Sequence, residues 1–447
     1  MLLALNYFTN HQVCRRSSEV YNTRLQPGNS GSVYIVGMVN VTELNPGQVL
    51  QSSVVTPNGR MLLPGGMTLT REHIAFLHKW GIARVHVQNQ GGEPLEVDQE
   101  LINAIESYLT PFYACNDIEE PVTRAVYEHA VKRLALKCQQ GWTIPRKEPN
   151  LPVNDGNLLD SFYAGEFSLN DLIRHDVELS SFPDIYFKIH RAINSPHSTA
   201  DYLAGIISKD PSLSAKLLRI VNSPFYGLTS RVDSVSRAVA LVGVNELSTL
   251  AMGVSAINAF KDIPDELVDM RSFWAHSVAV GVLARHLGKD FPEISGERLF
   301  VAGLLHDIGR LVMFRRLPAI STEAIIYAQS NLLPLVEAER DLLGFDHGLI
   351  GAALVKSWKL PQYLTHPLGG HHREDCLGSP MTAMIHLADF MAIAMAFSEK
   401  GSLIAPPLNP AACKAAGLTP EKLENIISGA EEEFENIVDI FFAKGRG

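Results

Sequence analysis

Histidine and aspartate, the side chains best suited to holding metal ions and moving protons, are crowded into one part of this chain. Eight of its sixteen histidines fall between His276 and His386. In Leu304-Leu305-His306-Asp307-Ile308-Gly309-Arg310-Leu311 an adjacent imidazole and carboxylate interrupt an apolar run. Such groups are costly to bury unless they are paired, hydrogen-bonded or bound to a cation. His276 lies on a helical stripe with Val280, Leu283 and Leu287, and His347 on one with Ile350, Leu354 and Trp358. Asp389 follows Met381 and Ile385 on a helix opened by Ser379-Pro380, and His371-His372 is a second adjacent pair. A single polar residue on an apolar face is ordinarily a core residue with a hydrogen-bond partner. Several on separate segments would each need a partner of their own, which strains that explanation.

His276, His306, Asp307, His347, His371, His372 and Asp389 together make seven candidate ligands. Seven is too many for one tetrahedral zinc. The number suits two ions sharing a carboxylate, and mixed nitrogen and oxygen donors suit iron, manganese, zinc or nickel. His276, His306, Asp307 and Asp389 would hold the first ion, with Asp307 bridging to a second held by His347, His371 and His372. Paired ions about 3.5–4 Å apart are a common device for cleaving phosphate esters. In that chemistry Asp307 and Arg310 are the candidate catalytic residues. Arg310 lies one helical turn from His306 and could hold a phosphate oxygen. The competing reading is a set of buried His-Asp pairs that only bridge helices.

The elements that must position these groups are helical. The apolar pattern from Val301 to Phe314 predicts one buried helix. Adjacent helix positions diverge by about 100°, so His306 and Asp307 can share a site only if it lies between their directions. Gly303 and Gly309 cost roughly 1 kcal/mol each in a helix interior, which predicts close approach of neighbouring elements. Upstream, Asp210-Pro211 predicts a capped helix with a stripe of Leu213, Leu217, Ile220 and Val221, ended by Asn222-Ser223-Pro224. Asn245 is a candidate cap for the next helix. Thr419 to Ala443 predicts a terminal helix on which Glu431-Glu432-Glu433 form a solvated face.

Nearer the start the texture is different. Residues 1 to about 30 read as a poorly ordered leader. Val54 to Leu63 predicts a hairpin about Asn58-Gly59. Thr70 predicts a capped helix through Gly81, and a strand follows at Arg84 to Val87. The histidines of this part, His73, His78 and His86, follow no ligand spacing. Val122, Ala125, Val126, Ala130, Leu134 and Leu136 predict an amphipathic helix, and the breaker-rich Pro145–Gly156 predicts a linker. The expected organisation is a small α+β domain over 33–105, a helix and linker over 106–167, a large all-α domain over 168–400, and a C-terminal helical extension over 401–447.

The motifs occur in an order that resembles the HD metal-dependent phosphohydrolase superfamily: His276, then His306-Asp307, then Asp389. The closer likeness is to its HDOD subgroup. Phe182-Pro183, Asp210-Pro211-Ser212-Leu213 and Val221-Asn222-Ser223-Pro224 carry it in the leading half, and Leu304 to Gly309 and Gly344 to Trp358 in the trailing half. That resemblance implies an all-α signalling output module of the bacterial cytoplasm, working through contacts with other signalling proteins. Many members lack metal ligands, whereas this sequence keeps them. Residues 38–88 more weakly resemble the domain that precedes HD-GYP cyclic-dinucleotide phosphodiesterases. Two departures stand out. The Gly-Tyr-Pro signature is absent after His372, and Pro367 with Gly369-Gly370 would interrupt the helix that delivers His371 and His372. The alternative function is an active phosphohydrolase or phosphodiesterase with a nucleotide or other phosphoester as ligand.

The whole chain sets outer bounds. At 447 residues, with 46% hydrophobic and 19% charged residues, it is long enough for two or three domains with ample core. A net charge of −10 without a basic run argues against nucleic acid as a partner. Five scattered cysteines fit a reducing compartment, and no apolar run is long enough to imply a membrane span.

Overall fold

The computed structural model describes residues 33–145 and 184–442, apart from 36–38, 51–53, 56–60, 65, 83, 86, 89–94, 194–198, 229, 258–259, 261–262, 264–266 and 398–403. The expected leader and most of the expected linker lie outside the described residues. The first unit is α+β. Its strands are β1 (Val33–Ile35), β2 (Val39–Asn40), β3 (Val49–Leu50), β4 (Val54–Val55) and β5 (Met61–Leu63). After helix α1 (Arg71–Lys79) come β6 (Arg84–Val85), β7 (Val87–Gln88) and β8 (Leu95–Val97). Among the described residues all pairs are antiparallel: β1 with β8, β2 with β6, β3 with β7, and β4 with β5. The last pair is the expected hairpin, with a bulge between Val54 and Val55.

Thr70 caps α1 as its sequence predicts, in a reciprocal box with His73, whose imidazole takes the place of the more usual Glu or Gln. The helix ends at Lys79, two residues short of Gly81, which adopts a positive φ of 68°. Leu50, Leu63, Leu69, Leu77, Val85 and Val87 form a separate small core.

Helices make up the remainder. Helices α2 (Gln99–Leu109) and α3 (Pro121–Gln139) come first, then α4 (Asp184–Ile193), α5 (Ala200–Ile207) and α6 (Pro211–Val221). Next are α7 (Val235–Val242), α8 (Val244–Ile257), α9 (Met270–Leu287), α10 (Gly296–Leu305) and α11 (Ile308–Arg316). Then come α12 (Pro318–Asn331), α13 (Leu335–Leu343), α14 (His347–Ser357) and α15 (Gln362–Gly370). The chain closes with α16 (Pro380–Ala394), α17 (Pro410–Ala415) and α18 (Pro420–Phe442). No described helix is long and apolar enough to cross a membrane. The architecture is therefore multidomain, a small α+β unit followed by a large all-α one.

Several local expectations hold in detail. Asp210 caps α6 by accepting from the Leu213 amide at 2.9 Å, and Leu213, Leu217, Ile220 and Val221 are its buried stripe. Val122, Val126, Ala130 and Leu134 are buried along α3. Three expectations need correction. Asn245 lies inside α8, which starts at Val244 directly after Gly243, at a φ of 103°. The run Val301–Phe314 is not one helix: it breaks at His306-Asp307 into α10 and α11.

The acidic run of α18 is not a solvated face. Glu433 is buried and accepts from Arg285 at 2.9 and 3.0 Å, with His286 3.0 Å away. Glu431 lies 3.1 Å from Arg133 of α3. Only Glu432 of the three is exposed. Apolar residues at Leu423, Ile427, Ala430, Phe434 and Ile437 bury the face on which Glu433 sits, so it is drawn in and must find cations.

Helix α3 is embedded in the helical body. Its Arg133 donates to the carbonyls of Met395 and Ala396 at 3.0 and 3.2 Å and lies over the Phe397 ring. Tyr113 donates to the Ala394 carbonyl at 2.9 Å. Asn116 donates to the Ala405 and Pro406 carbonyls and accepts from the Leu408 amide. The buried side chains of α2 and α3 belong to the same core as those of α16 and α18.

This packing yields an expectation about cleavage. Limited proteolysis should cut first within 146–156, and the two fragments should co-elute under native conditions because α3 remains packed against α16 and α18. Fragments that separate without denaturant would contradict this packing.

Candidate metal centre

The break between α10 and α11 lets two adjacent residues serve one point. His306 caps α10 and its Nδ1–H donates to the Gly303 carbonyl at 2.7 Å, which leaves Nε2 with its lone pair free. Asp307 leaves helical geometry (φ −96°, ψ 8°), and its carbonyl accepts from the Arg310 amide at 2.8 Å as α11 begins.

Glycines bring the neighbouring helices to this point. A Cβ on Gly303 would lie 2.5 Å from the Gly281 backbone, so α9 and α10 touch main chain to main chain. A Cβ on Gly309 would lie 2.0 Å from the His347 carbonyl, so α11 and α14 do the same. Those crossings set His276 beside His306, and His347 beside Asp307. The sequence-level cost of both glycines is thereby explained.

All seven candidate ligands gather here. His276, His306 and Asp389 bring ligand atoms within 4.8 Å of one another, as do His347, His371 and His372, and also His306, Asp307 and His371. Asp389 Oδ1 lies 3.1 Å from His276 Nε2 and 3.7 Å from His306 Nε2. Asp307 Oδ1 lies between the groups, 3.4 Å from His306 Nε2 and 3.0 Å from His347 Nε2. His347 and His371 face each other with Nε2 atoms 3.2 Å apart, and His372 Nε2 is 3.6 Å from Asp389 Oδ2.

Pro367 does not break the helix that delivers the second pair. Helix α15 runs through it to Gly370, and His371 is its C-cap. Gly369 and Gly370 lie where a Cβ would meet Ala352 at 3.0 Å and Cys376 at 2.7 Å, so they serve tight packing.

Arg310 is drawn inward. It is buried, and its guanidinium donates to Asp307 and, at 3.0 Å, to Glu339. Glu339 was not anticipated from sequence. It also accepts from the His347 amide at 3.0 Å and from His347 Nδ1, which fixes the tautomer with Nε2 toward Asp307. His386 was also missed; it is buried one turn before Asp389 and donates from Nδ1 to the His371 carbonyl at 2.7 Å. Both sit on apolar helix stripes, Glu339 between Leu335 and Leu343, and His386 with Ala383, Phe390 and Ile393. That placement was a readable signal.

The electrostatics favour cations. Asp307, Asp389 and Glu339 are three buried carboxylates, and Arg310 is the buried guanidinium among them. Burial would raise the Asp307 carboxyl, but Arg310, His306 and His347 hold it well below the usual range. Burial would raise Asp389 likewise, and His276 and His306 hold it well below. His347 is pushed up to about 9: burial and Arg310 oppose this, and Glu339 and Asp307 prevail. His371 is pushed down to about 3 by burial and by its neighbours His306 and His347. It is a neutral ligand-ready imidazole. Among the described residues, both ring nitrogens of His276, Nε2 of His306 and His372, and Oδ1 of Asp307 and Asp389 have no partner in hydrogen-bond geometry. Unpartnered buried nitrogen and carboxylate atoms converging on shared points are what a divalent metal needs. The residues fit such a group.

Residues 179–374 match the family model of the HDOD domain. An uncharacterized protein of Treponema pallidum is 29% identical over 201 residues, 44% of this chain and 38% of that protein. The match thus spans well under half of that curated relative's length. Among solved structures, this chain is similar to an HDOD domain protein of unknown function from Geobacter sulfurreducens, with 22% identity and TM-score 0.47, over 64% of this chain and 97% of that one. It is also similar to a Shewanella amazonensis protein provisionally assigned as a phosphohydrolase, with 23% identity and TM-score 0.46, over 60% of this chain and 98% of that one. A third is a Marinobacter aquaeolei protein provisionally assigned to signal transduction, with 20% identity and TM-score 0.46, over 70% and 72%.

Elemental analysis checks the ligand set. Wild-type protein purified without chelator should carry first-row transition metal, and Asp307→Ala should lower the content most, because Asp307 faces both groups. Less than about a tenth of an equivalent in the wild type, even after reconstitution, would contradict the site.

Proposed function

We propose that this chain is a signalling output protein of the HDOD type, acting in a bacterial cytoplasm, whose helical domain is closed around a pair of divalent transition-metal ions. The observation that carries the reading is convergence combined with burial. His276, His306, Asp307, His347, His371 and Asp389 meet at one place, and none is more than 3% exposed. His372, the remaining ligand, has a side chain only 7% exposed. A complete ligand set supports metal, while its enclosure argues against ready access for a phosphoester.

Arg310 supports the same conclusion. A guanidinium that is to clasp a substrate phosphate needs donors free on the reacting side. Here it orients Asp307 and, through Glu339, His347. When bound, the ions supply Lewis acidity and charge neutralisation. The protein's own groups hold the ligands, fix the imidazole tautomers and exclude water. Such a centre ties six helices together, so the fold of the output module responds to metal. Its partners in this reading are other signalling proteins.

Completeness of the ligand set is the one observation that favours the second reading, a metal-dependent phosphohydrolase acting on a nucleotide or other phosphoester. A steady-state assay with manganese or iron separates the two. Cyclic-di-GMP should be a poor substrate, and a chromogenic phosphodiester or a nucleotide monophosphate should turn over slowly or not at all, with metal retained. Fast metal-dependent cleavage of cyclic-di-GMP that disappears in His372→Ala would overturn the signalling reading.

A further inference from the structure

The His371-His372 turn must aim two side chains at one ion from the end of a helix that contains a proline and two glycines. A C-terminal turn leaves its carbonyls without intrahelical partners. Both carbonyls of this turn are held. The His371 carbonyl accepts from His386 Nδ1 at 2.7 Å, a bond that reaches across from α16. The His372 carbonyl accepts from Arg340 Nη2 at 3.0 Å, reaching from α13.

Arg340 is itself fixed. Its Nε donates to Asp346 at 2.9 Å and its Nη1 to Glu337 at 2.9 Å. Asp346 caps α14, accepting from the Leu349 amide at 3.0 Å, and α14 begins with His347. Arg340 therefore ties His372 to the start of the helix that presents His347, so the three ligands of the second group are set relative to one another. His371 is aimed by a third bond, Nδ1–H to the Leu368 carbonyl at 2.9 Å, which leaves Nε2 facing His347.

Resting on the metal-centre reading above, we propose that His386 and Arg340 are positioning residues for the second ion. They hold the main chain of the His371-His372 turn from opposite sides so that His347, His371 and His372 reach a common point. Neither supplies a ligand atom to this group. Removing either should loosen the second group and leave the first, whose ligands lie on α9, α10 and α16 and at the α10–α11 junction, in place.

The test uses the full chain loaded with Mn(II), with metal titration followed by electron paramagnetic resonance. The wild type should bind two ions and show an exchange-coupled multiline signal. Arg340→Met and His386→Leu should keep the first ion, weaken the second by about 10- to 100-fold, and give the six-line signal of an isolated ion. His386→Gln, which retains an N–H donor, should recover part of the coupled signal. Far-UV circular dichroism guards against misfolding; Arg340 has a side chain 25% exposed, so its variant carries the test if the buried His386→Leu fails to fold. Coupled signal and second-ion affinity at wild-type levels in both folded variants would overturn the proposal. A wild type that never gives a coupled signal would instead overturn the two-ion reading beneath it, and is seen before any substitution is made.

Discussion

Excess negative charge sealed inside an apolar helical body is the constraint from which the rest of this structure follows. Asp307, Asp389 and Glu339 are each at most 3% exposed, and Arg310 is the guanidinium set among them. Isolated buried carboxylates cost several kcal/mol each even after relaxation. The imidazoles offset part of this: His347, driven up to about 9, takes a proton that burial would otherwise deny it. A divalent ion does the same work without protonating a ligand. The helices then need to approach closely enough for short ligands to converge, which explains backbone contact at Gly281–Gly303 and at Gly309–His347. A β-carbon at Gly309 has no room, so the fold and the site share one geometric requirement.

Much of the site was legible in the sequence because polar residues on apolar stripes are conspicuous. His276, His347 and Asp389 each interrupt a stripe that the structure buries. The helix break at His306-Asp307 was not legible. Apolar periodicity continues across it, and the His306 side chain that bonds back to Gly303 at the break is not marked by that pattern. Glu339 and Arg340 lie in Glu337-Ala338-Glu339-Arg340-Asp341, a run that reads as a solvated face. Its spacing between Leu335 and Leu343 marks Glu339 as inward-facing, and only tertiary packing shows that it meets Arg310 and His347 there. Glu433 was misread for the same reason: charge runs hide the member that faces the core.

Position in the chain and position in the fold also diverge. Helix α3 and the turn that follows α2 lie well before residue 179, where the HDOD match begins, yet they grip the end of α16 through Arg133 and Tyr113 respectively. Asp389 and His386 lie on that same helix, one to two turns earlier. Asn116 holds residues 405–408 in turn. The segment after the α+β unit is therefore packed directly behind the helix that carries two of the site's histidine and aspartate residues. Sequence periodicity identified α3 as amphipathic and could not say what its apolar face covers.

The central claim is a closed two-ion centre, and anomalous diffraction from crystals grown with manganese tests it most directly. Two anomalous peaks should appear, one among His276, His306 and Asp389 and one among His347, His371 and His372, with Asp307 between them and no solvent channel reaching either. A map without peaks at these ligands, or peaks that open onto a channel wide enough for a phosphoester, would contradict the account.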